Sequence, residues 1–168
     1  MHMKSVSTGP FRPKARFKGG SPMAEDLKEL MRKFVDEVWN QGKLDVVDQL
    51  VAPGCVTHDP AAQGGELTGP DGVKQLATMY RNAFPDTRFE INDLIMEGDK
   101  VAARLSASGT HKGALMGIAP TGKRVSITGQ SITRFRDGKQ VESWSSYDQL
   151  GMLQQLGVVP SMQTAPRT

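Results

Sequence analysis

The chain has 168 residues, 38% hydrophobic and 23% charged, a composition typical of one globular domain. No apolar run approaches the roughly 20 residues of a membrane-spanning helix, and a single cysteine excludes an internal disulfide and favours a reducing, cytoplasmic compartment. Residues 1–22 carry five basic residues and no acid. That leaves 16 of the 21 basic residues against all 18 acidic residues, a net charge of −2, so nucleic acid is not an expected partner.

Three segments are predicted along the chain. Residues 1–22 read as a disordered basic leader, either native or added by cloning; a transit peptide or an anion-binding arm are the alternatives. Residues 23–158 form the folded domain, and residues 159–168 form a short tail.

The first half of the domain is predicted to be helical. Apolar residues from Leu27 to Trp39 recur at the i, i+3, i+4, i+7 spacing of one buried helix face, which Gly42 ends. The stretch LDVVDQLVAP predicts a second short helix stopped at Pro53, followed by a brief strand, CVTHDP. A third helix is expected from Thr68 to Pro85.

Beyond Pro85 the apolar period changes to two, which predicts four strands. Turns at Gly98 and at Asp137-Gly138 join them into hairpins, and QLGMLQQLG closes the domain as a helix. Helices followed by a meander favour the α+β class over a βαβ protein. We expect a curved antiparallel sheet packed on three N-terminal helices, a cone enclosing a hydrophobic pocket.

Several segments within residues 24–158 resemble one family: FVDEVWNQGKLDVVDQLVAPGCVTHDP, FPDTRFEINDLIMEGDKVAARLSASGTHKG and GIAPTGKRVSITGQSITRFRDGKQVESWSSYDQLGMLQQLG. They are similar to the SnoaL-like polyketide cyclases, or ester cyclases, of the nuclear transport factor 2-like superfamily. The resemblance implies a cystatin-like α+β barrel and a homodimer that pairs through its sheet.

The resemblance also implies a cofactor-free aldol ring closure. In that family an aspartate on the last strand removes a proton from a polyketide methyl ester, assisted by a histidine on the preceding strand. Here the aspartate position falls at Ser145 and the histidine position at Ser131. A serine hydroxyl lacks the proton affinity of a carboxylate, so another base is needed. Asp148 matches a second acid of the family pattern.

Asp148 is therefore a first candidate for the catalytic acid or base. Strand alternation puts it on the same face as Glu142, Trp144 and Ser146, with Ser145 and its alternate neighbours on the other. If Trp144 faces the pocket, Asp148 is an acid beside an aromatic wall. The alternative is that Asp148 caps the closing helix.

Two histidines and a neighbouring acid are the other catalytic candidates. His58 and Asp59 lie at a strand end and suit acid/base chemistry, although a strand sends them to opposite faces; a simple turn is the alternative. His111, in GTHKG, is either catalytic or structural. No HxH or HExxH spacing is present, so neither a metal nor another cofactor is expected.

Further residues are expected to bind the substrate rather than to react. Arg134 would polarise a carbonyl if it points inward, although an outward arginine is commoner, and Tyr80 lies on the third helix as pocket wall or core. The resemblance adds Ser145 and Ser131 to these predicted substrate-binding residues. Trp144 is added because it lies on the last strand. Cys55 is either a reactive thiol or a small buried hydrophobe.

The function predicted from these observations is that of a cyclase or isomerase, in the lyase or isomerase class. It would act by acid/base chemistry on a small apolar carbonyl compound. Whether the protein is an enzyme stays open, since Ser145 and Ser131 favour two alternatives. One is a non-catalytic protein that binds a lipid-like or aromatic ligand, and the other is a scaffold that dimerises through its sheet.

Overall fold

The computed structural model describes residues 22–62 and 64–160, without the side chains of residues 22–25. The expectations for the basic leader and for residues 161–168 lie outside this part of the chain. No helix within the described ranges is long and apolar enough to cross a membrane.

Helices and strands follow the predicted order. They are α1 (Pro22–Lys33) with a π-helical continuation (Phe34–Asn40), a 3₁₀ turn (Leu44–Val46), α2 (Val47–Leu50), β1 (Val51–His58), β2 (Glu66–Thr68), α3 (Gly69–Ala83), β3 (Arg88–Glu97), β4 (Lys100–Thr110), β5 (Arg124–Arg136), β6 (Lys139–Tyr147) and α4 (Gln149–Leu156).

The first helix buries the predicted apolar face. Met31, Val35 and Val38 are buried against the sheet and α3. The continuation of the helix is tied to the sheet because Asn40 accepts a hydrogen bond from the Phe89 amide at 2.7 Å and donates to its carbonyl at 3.1 Å. This link fixes the helix over the start of β3.

The strands of the described residues form one six-stranded sheet in the order β2-β1-β6-β5-β4-β3. Four of its pairings are antiparallel, which confirms the α+β class and the predicted meander. One pairing departs from the antiparallel pattern, since β1 lies parallel to β6. β1 also begins at Val51, within the stretch predicted as helix, and includes Pro53 and Gly54.

Local turn chemistry sets the hairpin between β5 and β6. Asp137 and Gly138 have φ values of 51° and 74°, the two positive angles that a type I′ turn requires. The turn fixes the register in which Thr133 faces Ser143 and Ser131 faces Ser145. The two strands therefore bring four small polar side chains to one face of the sheet.

Three buried apolar clusters hold the helices on the sheet. Cys55 belongs to the cluster of Val38, Val47 and Val51 and is fully buried. Burial raises the pKa of its thiol, because an apolar environment disfavours the thiolate. Of the two predicted alternatives, the structure therefore favours a small buried hydrophobic residue over a reactive thiol at Cys55.

Candidate active site

A cavity of about 150 Å³ lies between the inner face of the sheet and the helices. Its wall is mainly apolar and aromatic, with Phe34, Trp39, Leu76 and Phe84 among its residues. Ligand pockets commonly combine such a wall with a few polar groups that set orientation. Most polar groups of this cavity come from β1, β5 and β6, and Asp59 and Tyr80 of α3 join them.

Alternation along β6 decides which strand face meets the cavity. Ser143, Ser145 and Tyr147 line it together with Gln140 and Ser146, whereas Glu142 and Trp144 do not. The last strand therefore presents to the cavity the face opposite to Trp144.

Asp59 supplies a buried carboxyl group to the cavity. It follows the last residue of β1, is 6% exposed and belongs to the cavity wall. Its Oδ1 atom accepts hydrogen bonds from the Ala61 amide at 2.9 Å and from the Tyr147 hydroxyl at 3.4 Å. Burial raises the pKa of Asp59, because loss of water disfavours the carboxylate more than these two hydrogen bonds favour it.

Two tyrosines extend this group into a hydrogen-bonded chain. The hydroxyl oxygens of Tyr80 and Tyr147 are 2.5 Å apart, and their rings meet edge to face. With Tyr147 donating to Asp59, Tyr80 donates to Tyr147. Burial raises the pKa of Tyr147 to about 12 and raises that of Tyr80 as well. Both phenols therefore stay protonated at neutral pH and remain donors.

Asp59 directly follows β1, which lies beside the strand that carries Ser145. Thr57 and His58 pair in parallel with Ser143 and Trp144, and continuing that register by one residue places Asp59 beside Ser145. Neighbouring strands lie about 4.8 Å apart. Asp59 and Ser145, the position to which the resemblance assigns the family's base, thus line the same cavity.

His58 and two other predicted residues lie on the opposite face of the sheet. The His58 ring stacks on Trp144 with centroids 5.4 Å apart, and Arg134 lies over Trp144 at 5.6 Å. Glu142 bonds to both, at 3.3 Å from His58 Nε2 and 2.7 Å from the Arg134 guanidinium. None of the four lines the cavity, so Trp144 and Arg134 are not part of its wall.

Asp148 ends the strand as the N-cap of α4. Its Oδ1 accepts the Gly151 amide proton at 2.7 Å, and its side chain is exposed and outside the cavity wall. Asp148 therefore lies where a helix cap is expected. It is not a buried acid beside Trp144.

His111 is fully buried away from the cavity wall. Its Nδ1 accepts the Thr121 amide proton at 3.2 Å, and its ring packs against Phe84. These contacts tie the loop after β4 to α3. Within residues 22–62 and 64–160, no three His, Cys, Asp or Glu side chains converge to hold a metal ion.

Of the predicted residues, the cavity brings together Asp59, Tyr80, Ser131 and Ser145. It leaves out His58, His111, Trp144, Arg134 and Asp148. Tyr147 lines the cavity beside Asp59 and is a candidate that the sequence analysis did not name. The signal for it was available, because Tyr147 follows Ser145 by two residues and so shares its strand face.

The SnoaL-like polyketide cyclase family model matches residues 29–156. The chain belongs to this family. Aklanonic acid methyl ester cyclase DnrD of Streptomyces peucetius is 33% identical over 135 residues, covering 77% of this chain and 89% of DnrD. Nogalonic acid methyl ester cyclase of Streptomyces nogalater is 34% identical over 121 residues, covering 71% of this chain and 89% of the relative.

Solved structures show the same fold. AclR of Streptomyces galilaeus superposes with a TM-score of 0.72 at 34% identity, covering 84% of this chain and 86% of AclR. TsrD of Streptomyces laurentii gives a TM-score of 0.72 at 28% identity, covering 80% of this chain and 97% of TsrD. The predicted family and fold class are therefore confirmed.

Proposed function

We propose that the protein is a cyclase-type enzyme that closes a ring in a small polyketide by acid/base chemistry, with Asp59 as its base. The observation that carries this proposal is a buried carboxyl group of raised pKa in the wall of an apolar cavity. Raising the pKa of a carboxylate strengthens it as a base, and general bases act best when their pKa approaches the working pH.

The reaction begins with proton removal from a carbon next to a carbonyl group. The Ala61 amide and the Tyr147 hydroxyl both donate to Oδ1 of Asp59, so we assign proton transfer to Oδ2. The C–H electron pair moves onto the carbonyl oxygen and forms an enolate, which attacks a second carbonyl of the same molecule. The resulting alkoxide takes back the proton from Asp59, so the ring closure is an isomerisation and consumes no oxidant or reductant.

We assign Tyr80 as the hydrogen-bond donor to the enolate: its hydroxyl proton turns from Tyr147 to the substrate oxygen, while Tyr147 keeps donating to Asp59. Because the pKa of each is raised, neither phenol ionises at neutral pH. A donor placed where negative charge develops stabilises the transition state more than the ground state.

Ser145 is the residue at which the family pattern can be compared with the structure. The family's base position holds a serine here, and Asp59, at the end of the neighbouring strand β1, lines the same cavity. We infer that the base has moved from β6 to the end of β1 while still serving the same cavity.

The experiment that tests this proposal is turnover of aklanonic acid methyl ester, the compound in the name of DnrD. Cyclised product is followed by liquid chromatography and mass spectrometry for the wild type and for Asp59→Asn. Asparagine keeps the acceptor for Ala61 and removes the base, so we expect a loss of about 10²–10⁴ in kcat. Exposed Asp45→Asn is the matched control and should keep full activity.

Non-catalytic binding is the second candidate function, favoured by Ser145 and Ser131 in place of the family's acid and base. Such a protein would bind the ester without converting it. Trp39 lines the cavity and reports this outcome, because its fluorescence changes on binding in a Trp144→Phe background.

We also propose a homodimer that pairs through the outer sheet face. Ile95, Ala102, Ile132 and Trp144 form one cross-strand row there, with Ile95 69% and Ile132 45% exposed. Sedimentation velocity should show a dimer that Ile95→Asp converts to a monomer, and a monomeric wild type would contradict the proposal. The cytoplasmic location rests on the cysteine content of the chain alone and stays a prediction.

A further inference from the structure

The cavity wall holds a second polar group, apart from Asp59 and the tyrosines. Thr57, Ser143 and Thr133 pair across three neighbouring strands, and all three are buried members of the wall. The Thr133 and Ser143 hydroxyls hydrogen-bond to each other at 3.2 Å. Gln140 lies further toward the start of β6, paired with the core residues Val51 and Phe135.

Gln140 brings a donor that the protein itself does not satisfy. The residue is 2% exposed and belongs to the cavity wall, and its Nε2 has no hydrogen-bond partner. An amide donor left unpaired in an apolar interior destabilises the fold, whereas a methionine or leucine there would not. A buried donor that costs stability in the empty protein is explained by a ligand atom that pairs with it.

We propose that Gln140, with the hydroxyl row of Thr57, Ser143 and Thr133, is a subsite that binds a carbonyl or quinone oxygen of the ligand. The amide of Gln140 donates to this oxygen, and the hydroxyls next to it offer further donors as they rotate. The inference rests on the proposed function only in placing the ligand in the same cavity. It does not depend on Asp59 acting as a base.

The spacing of the two polar groups describes the ligand class. Ser143 and Tyr147 lie four residues apart on β6, a distance of about 13 Å along the strand. The helices contribute Met31, Phe34, Val35 and Leu76 to the apolar wall of the same cavity. A ligand that satisfies both groups is an elongated, largely apolar molecule with oxygen atoms at two separate positions. It carries one oxygen near Tyr80 and another at Gln140.

The test uses 1-tetralone and tetralin, two bicyclic probes that differ by one ketone oxygen. Each is titrated into ¹⁵N-labelled protein, and the side-chain amide signals of Gln140 are followed by heteronuclear NMR. We expect a downfield shift of these amide protons with 1-tetralone and none with tetralin. This arm uses the wild-type protein and needs no variant.

Binding of the same probes to variants locates the interaction. Gln140→Met keeps the side-chain volume and should lower the preference for the ketone about tenfold, the effect of one buried hydrogen bond. Leu76→Met changes the cavity wall without removing a donor and should keep the preference. Asp59→Asn should keep it too, which separates this subsite from the proposed base.

Three results would overturn the proposal. They are an unshifted Gln140 amide when 1-tetralone is bound, an unchanged ketone preference in Gln140→Met, and no ketone preference in the wild type. An unshifted amide signal is also the result expected if the Gln140 amide donates only to a bound water molecule. If Gln140→Met fails to fold, Gln140→Leu replaces it and the amide shift of the wild type decides the matter.

Discussion

Replacing Asp148 separates a helix cap from a catalytic acid. Its Oδ1 accepts the Gly151 amide proton at 2.7 Å, and α4 begins at the next residue. Loss of such a cap costs about 1 kcal/mol. In a domain of this size that lowers Tm by about 2–4 °C. Asp148→Ala should therefore lose about this much stability, while α4 stays anchored by buried Met152 and Leu156.

Asparagine provides the matched comparison, since it also caps helices well. Asp148→Asn should stay within about 0.5 kcal/mol of the wild type, losing only part of the favourable interaction with the helix dipole. Urea unfolding followed by far-UV circular dichroism measures stability, and turnover of the ester measures activity. We expect both variants to keep wild-type turnover. A hundredfold loss of turnover in Asp148→Asn, with unchanged stability, would refute the assignment of Asp148 as a cap.

Three more predictions concern the site and the core. Because burial raises the pKa of Asp59, the folded state favours its protonated form, and that contribution to stability is lost as pH rises through the raised pKa. Asp59→Asn should thus be more stable than the wild type at pH 8 and equal to it below about pH 4, the ordinary aspartate range, as urea unfolding can check. Tyr147→Phe removes the link between Tyr80 and Asp59 and should lower kcat about 100-fold, and a wild-type rate would exclude the tyrosine chain from the mechanism. Leu115→Ala should cost about 2–5 kcal/mol in a calorimetric scan because Leu115 is fully buried, whereas exposed Met116→Ala should cost less than about 0.5 kcal/mol.

Local signals in the sequence predicted much of the fold. The change of apolar period at Pro85 separates helices from strands, and Asp137-Gly138 specifies its hairpin through φ angles that few other residues adopt. The pairing of β1 with β6 was not predictable in this way. It joins residues more than 80 positions apart, so neither turn chemistry nor periodicity reports it.

The same long-range pairing explains what was missed at the site. Alternation correctly sends His58 and Asp59 to opposite faces, but only the register of β1 beside β6 shows that Asp59 is the one inside. Trp144 suggested a pocket wall by its place on the last strand, yet it packs against His58 and Arg134 outside the cavity. An aromatic side chain on a two-sided sheet finds partners on either face.

Proton abstraction from 5-nitrobenzisoxazole tests the central role of Asp59 most directly. A base in an apolar cavity opens this small aromatic ring to a coloured phenolate, whatever the natural substrate is. We predict that kcat/KM of the wild type rises with pH through the raised pKa of Asp59, and that Asp59→Asn lowers it by about 10²–10⁴ while Asp148→Asn does not. An Asp59→Asn variant with the rate and pH profile of the wild type would contradict the account.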